Sequence, residues 1–101
     1  MSRTVYRYVI DRSVPMAEIE TSLLLALLAV ESWHGESQVR LEASHALDAE
    51  RRTCVIDADN DVGRDLNRLF VGLVRREFGE LSFRVEHISD PQQRLRKEVA
   101  A

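Results

Sequence analysis

At 101 residues the chain has room for one domain with a real core, and an apolar share of 45% excludes a largely disordered protein. A net charge of −3 and a pI near 5.6 argue against a general nucleic-acid binder, whose phosphate contacts need a basic surface. A single cysteine, Cys54, excludes an intrachain disulfide and a multi-cysteine metal site, and it suits a reducing cytoplasm.

Residues 1–6 lack the apolar core of a signal peptide. The longest apolar run, residues 23–30, falls short of the about 20 residues that a membrane span requires. A soluble chain with no membrane partner is therefore expected. Residues 4–11 are rich in β-forming side chains and read as a first strand. Ser13, Val14 and Pro15 then open a helix, because a first-turn proline gives up an N–H that has no helical partner. Glu18 and Glu20 suit the dipole of that first turn. The helix should continue to about His34, with Gly35 as its terminator.

Residues 38–47 alternate, with Val39, Leu41, Ala43, His45 and Leu47 on one face and Gln38, Arg40, Glu42 and Ser44 on the other. That period of two predicts a half-buried second strand. Residues 48–50 form a short connection, and residues 52–58 predict a third strand that completes a hairpin. Asp59, Asn60 or Asp61 can cap a second helix running to Glu77 or Phe78. Its apolar stripe is Val62, Leu66, Leu69, Phe70, Leu73 and Phe78, and Gly79 should end it. Residues 81–88 alternate again, with Leu81, Phe83 and Val85 on one face.

The predicted order is βαββαβ. Right-handed crossovers leave few topologies for it, and the economical one is an α+β, ferredoxin-like two-layer sandwich. Its four-stranded antiparallel sheet has the order 4-1-3-2, with two helices on one face. One domain is expected over residues 1–90. The polar tail, residues 91–101, reads as a frayed helix or a disordered segment.

In that topology each end of the sheet collects polar residues. Asp11, Asp48 and Glu50 meet at one end. The placement resembles, in topology alone, the palm domains of polymerases and nucleotidyl cyclases, and the resemblance implies two metal ions held there. The glycine-rich hairpin of the cyclases is absent, and a polar turn accounts for the same residues.

The opposite end gathers Trp33, His34, Glu36, Asp57, Asp59, Asp61, Arg64 and His87. Carboxylates beside imidazoles can bind a divalent cation or form an acid–base pair, so this end carries the enzyme alternative, metal-assisted or acting on a small molecule. The Asp57, Asp59, Asp61 spacing fails as a calcium loop. Its turn glycine, Gly63, comes one place late, and Arg68 stands where a bidentate Glu is required. Helix capping by Asp59 to Asp61 explains the cluster more simply, with Asp57 paired to an arginine across the sheet. His45 and His87, on mainly apolar strand faces, are expected to be hydrogen-bonded core members. No metal and no cofactor is assigned.

Two surfaces suggest association. With Tyr6, Tyr8, Ile10, Cys54 and Ile56 turned inward, the open sheet face has an apolar centre of Val5, Val9 and Val55. Around it stand Arg7, Arg40, Arg84, Glu42, Glu86 and Asp57, a balance of signs that suits another protein surface, including a second copy. No aromatic for base stacking is predicted there, so nucleic-acid binding on this face ranks third. The first helix is apolar all round over residues 23–30, whereas a helix lying on a sheet needs only a stripe. Ala26, Ala29 and Gly72 would let the second helix approach, and Leu24, Leu25 and Leu28 are the candidates for exposure. Arg64, Arg68, Arg75 and Arg76 read as a solvated face. The expected function is a non-enzymatic interaction or regulatory module, working as a homodimer or with a protein partner.

Overall fold

The computed structural model describes residues 4–88. The predicted tail, residues 91–101, lies outside them. The chain runs β1 (Val5–Ile10), α1 (Met16–His34), α2 (Glu36–Glu42), β2 (His45–Asp48), β3 (Thr53–Asp57), α3 (Asp61–Phe78) and β4 (Phe83–Ile88), with a 3₁₀ turn at Glu80–Ser82 before the last strand. This is an α+β fold. The four strands form one antiparallel sheet in the order β2-β3-β1-β4, the strand order expected from the sequence. The element order differs. A ferredoxin-like βαββαβ order is not matched, because a third helix stands between α1 and β2.

That helix replaces most of the predicted second strand, leaving only His45–Asp48 in the sheet. The alternation that suggested a strand rests heavily on Leu41, which is 87% exposed. Val39 alone in this helix is buried, and Ala43, one helical turn later, packs against the core. Glu, Gln, Arg and Leu are good helix formers, and Glu36 and Arg40 pair across one turn at 2.5 Å. In so exposed a segment, propensity outweighs an alternation with little to bury. Gly35 makes the break possible. Its φ of 88° and ψ of 147° lie in a region kept essentially for glycine, so the chain leaves α1 and begins α2 at once.

The core lies between the sheet and the helices. Tyr8, Ile10, Cys54 and Ile56 are buried on the strands. Above them sit Ile19, Leu23, Ala26 and Val30 of α1 and, at helical spacing, Val62, Leu66, Phe70 and Val74 of α3. Tyr8 meets the edges of Phe70 and Phe83 at 5.3 and 5.7 Å between ring centroids, and its hydroxyl donates to Asn67 Oδ1. Burial raises its pKa well above the ordinary tyrosine value, because the phenolate would lose its water.

Edge positions weaken some expected burial. By register, Phe83, Val85 and His87 share the helix-facing side with Ile10, Tyr8 and Tyr6. Yet Val85 is half exposed, and both His87 on β4 and His45 on β2 are exposed rather than core members. Leu81 belongs to the 3₁₀ turn, not to the strand, and faces solvent. Gly72 is also exposed, and a Cβ there would meet nothing, so it plays no part in helix approach. Among the described residues no helix is long and apolar enough to cross a membrane.

Cys54 is fully buried, and burial pushes its thiol up to about 12. The folded state thus holds this proton more tightly than the unfolded chain. The resulting stability is complete below the ordinary value of 9.0 and is lost as pH rises from there through about 12. Tyr8 acts in the same direction. Thermal melts should therefore show stability falling as pH rises above 9.0. At neutral pH a thiol reagent should modify Cys54 only after denaturant is added.

Candidate functional site

The acidic end of the sheet is built from the β3–α3 loop. Asn60 is the N-cap of α3, its Oδ1 accepting from Gly63 N at 2.7 Å, while its Nδ2 donates to Glu42 O at 2.9 Å. Asp59 Oδ1 accepts from Thr4 N at 2.7 Å, tying the loop to the start of β1. Asp57 is buried and its Oδ1 accepts from Asp59 N at 3.0 Å. Asp61 pairs with Arg64 one helical turn on. These carboxylates therefore close a loop and start a helix.

The remaining residues of that candidate set are engaged separately. His34 Nε2 lies 2.8 Å from Asp65 Oδ2, which joins the end of α1 to α3. Asp65 stood outside the sequence-derived candidate set, because only the packing of α1 on α3 brings it to His34. His87 packs its ring against Tyr6, centroids 5.3 Å apart. Trp33 is largely exposed, and Glu36 pairs with Arg40 within α2. No group of three or more His, Cys, Asp or Glu side chains among the described residues is placed to hold a metal ion.

On the open sheet face, the register sets Arg7 between Val55 and Glu86, and Val9 between Thr53 and Arg84. Arg7 Nε donates to Glu86 Oε1 at 2.7 Å, a cross-strand ion pair. Arg40 and Glu42 do not join this face, since both lie on α2. Val5 and Asp57 are buried at its end. What remains of the expected apolar centre is Val9 and Val55, both half-buried. A shallow cavity of about 430 Å³ borders it, lined by Arg7, Asp48, Glu50, Arg51 and Val55 among others.

The opposite end of the sheet, where the sequence placed Asp11, Asp48 and Glu50, is also rich in arginine. Arg12 of the β1–α1 loop, Arg51 and Arg52 of the β2–β3 hairpin, and Arg84 of β4 line a cavity of about 440 Å³ with Asp11 and Glu50. Asp11 accepts from Ser13 Oγ at 2.5 Å and Ser13 N at 3.0 Å, bonds that hold its carboxyl below the usual range. Arg52 reaches across to the β1–α1 loop, where its guanidinium donates to the carbonyls of Ile10, Asp11 and Val14. Sequence reasoning missed Arg12, Arg51 and Arg52. Arg12 and Arg51 adjoin Asp11 and Glu50 in sequence, but only strand pairing brings them to Arg84.

The outer face of α1 is the third feature. Leu24, Leu25 and Leu28 are 54%, 52% and 61% exposed, and the positions share one side of the helix. Comparison with family models, with characterised proteins and with solved structures found no match.

Proposed function

We propose that this chain is a non-catalytic association module that forms a homodimer through the outer face of α1. The observation that carries this reading is the exposure of Leu24, Leu25 and Leu28 midway along a 19-residue helix. Contiguous apolar surface of this kind marks interaction sites on soluble domains. Charge favours a second copy as the occupant. Helix α1 carries Glu18, Glu20 and Glu31 with no Lys or Arg, whereas α3, packed beside it, is weakly basic, with Arg64, Arg68, Arg75 and Arg76 against Asp61, Asp65 and Glu77. About a two-fold axis, the leucines meet their own copies and each acidic α1 lies near the partner's basic α3.

The magnitude sets the strength. A half-exposed leucine keeps about 1 kcal/mol of its burial free energy in reserve, so two sets of three supply about 6 kcal/mol. Association costs about 4–15 kcal/mol in lost freedom. The leucines alone barely offset that cost, so a weak dimer that dissociates on dilution is expected. The single buried thiol supports a reducing, cytoplasmic setting.

The test is sedimentation velocity over a dilution series. Wild type should shift from dimer to monomer, and Leu25→Glu should be monomeric throughout with an unchanged circular-dichroism melt. Val55→Glu, on the sheet, should dimerise as wild type does. A monomer at every concentration, or loss of the dimer only with Val55→Glu, would contradict the proposal.

A further inference from the structure

We infer that the arginine-lined cavity at the hairpin end of the sheet binds a small phosphate monoester, with the phosphate on Arg12, Arg51 and Arg84 and its organic body against the neighbouring Val9, Leu81 and Phe83. Three segments distant in sequence bring these cations together, and four arginines against two carboxylates leave local positive charge on a chain whose net charge is −3. Asp11 is turned to Ser13, and Arg52 spends its donors on backbone carbonyls. Arg51 approaches Asp48 only to 3.8 Å, at the limit of an ion pair. Arg12 and Arg84 form no ion pair among the described residues, which leaves their guanidinium forks available.

The frame that holds them is fixed. Arg84 sits on β4 opposite Val9, and the hairpin is pinned by Arg51 N donating to Asp48 Oδ1 at 3.1 Å and by the Arg52 bonds to the neighbouring loop. A dianion with three peripheral oxygens can engage several guanidinium groups at once, which a carboxylate with two oxygens cannot. Val9, Leu81 and Phe83 line the same cavity, and Leu81 is 95% exposed, so apolar surface lies ready beside the charge. That combination selects a phosphate carrying an apolar or aromatic body rather than free phosphate.

Phenyl phosphate is the probe, titrated into the full chain at low salt and followed by amide and arginine side-chain NMR shifts. Saturable shifts should appear at Val9, Arg12, Arg51 and Arg84. Arg12→Gln and Arg84→Gln should each weaken binding about tenfold, the value of one charge-assisted hydrogen bond. Arg68→Gln, on the outer face of α3, should leave it unchanged, and benzoate and inorganic phosphate should each bind several-fold more weakly. Arg12 and Arg84 are exposed, so both variants should fold. Shifts that fail to saturate, shifts centred on α3, or undiminished binding in both variants would overturn the inference. None of these outcomes depends on the α1 dimer.

Discussion

Gly63→Ala should cost about 3 kcal/mol or more of folding stability, among the largest losses open to a single substitution in this chain. A Cβ at Gly63 would lie 2.1 Å from the carbonyl oxygen of Asp57 and 3.1 Å from its carbonyl carbon. Those atoms belong to the backbone at the end of β3 and cannot rotate away. The clash can be relieved only by lifting the first turn of α3 off the sheet. That movement breaks the cap from Asn60 to Gly63 N, worth about 1 kcal/mol, and unseats Val62 and Leu66, both fully buried. Overpacking of a core against its backbone adds about 1–3 kcal/mol. Urea denaturation is the measurement, read as a lower midpoint at unchanged slope. A loss within about 0.5 kcal/mol, the range of a neutral surface change, would mean that α3 does not approach β3 so closely.

Arg52→Ala should be the second large effect, at about 2–3 kcal/mol. Arg52 has a φ of 57°, the left-handed conformation that glycine tolerates and other residues resist by about 1–2 kcal/mol. Its side chain compensates by donating to the carbonyls of Ile10, Asp11 and Val14, while Ile10 N donates to the Arg52 carbonyl at 2.8 Å. Charged donors to such acceptors contribute about 1.5–3 kcal/mol each when shielded, and less here because the site is partly open to water. Alanine keeps the strained backbone and removes the clamp. Glycine removes both, so Arg52→Gly should lose less than Arg52→Ala. Lysine keeps the charge without the planar fork and should resemble alanine more than wild type. Equal stability of Arg52→Ala and wild type would show that the carbonyl contacts contribute nothing.

The sequence was legible where local chemistry leaves one choice. Gly35 and Gly79 stop their helices, and Tyr8, Ile10, Cys54 and Ile56 turn inward as alternation requires. Even the strand order of the sheet followed from connection rules. The second strand did not, because Val39, Leu41 and Ala43 fit a period of two as well as one turn of a short helix, and only tertiary contact decides. The histidines were misplaced for a related reason. Register put His87 on the helix side, but its strand lies at the sheet edge, where that side is uncovered. In the β3–α3 loop, the capping role that the sequence spread over Asp59, Asn60 and Asp61 falls to Asn60. The arginine cavity was hidden because Arg12, Arg51 and Arg84 become neighbours only through the pairing of β1 with β3 and β4. The leucines of α1 were visible as an excess of apolar surface, and the added helix α2 did not cover them.

Dimerisation through α1 is tested most directly by cysteine cross-linking. Cys54 is buried and its thiol stays protonated, so it provides a silent background. Leu28→Cys places a single reactive thiol on the outer face of α1, and Arg84→Cys places one on the open sheet face. Under mild oxidation Leu28→Cys should form a disulfide-linked dimer quickly, at a rate that Leu25→Glu in the same chain abolishes, while Arg84→Cys should remain monomeric. Faster linkage through Arg84→Cys, or Leu28→Cys linkage unaffected by Leu25→Glu, would contradict an α1 interface.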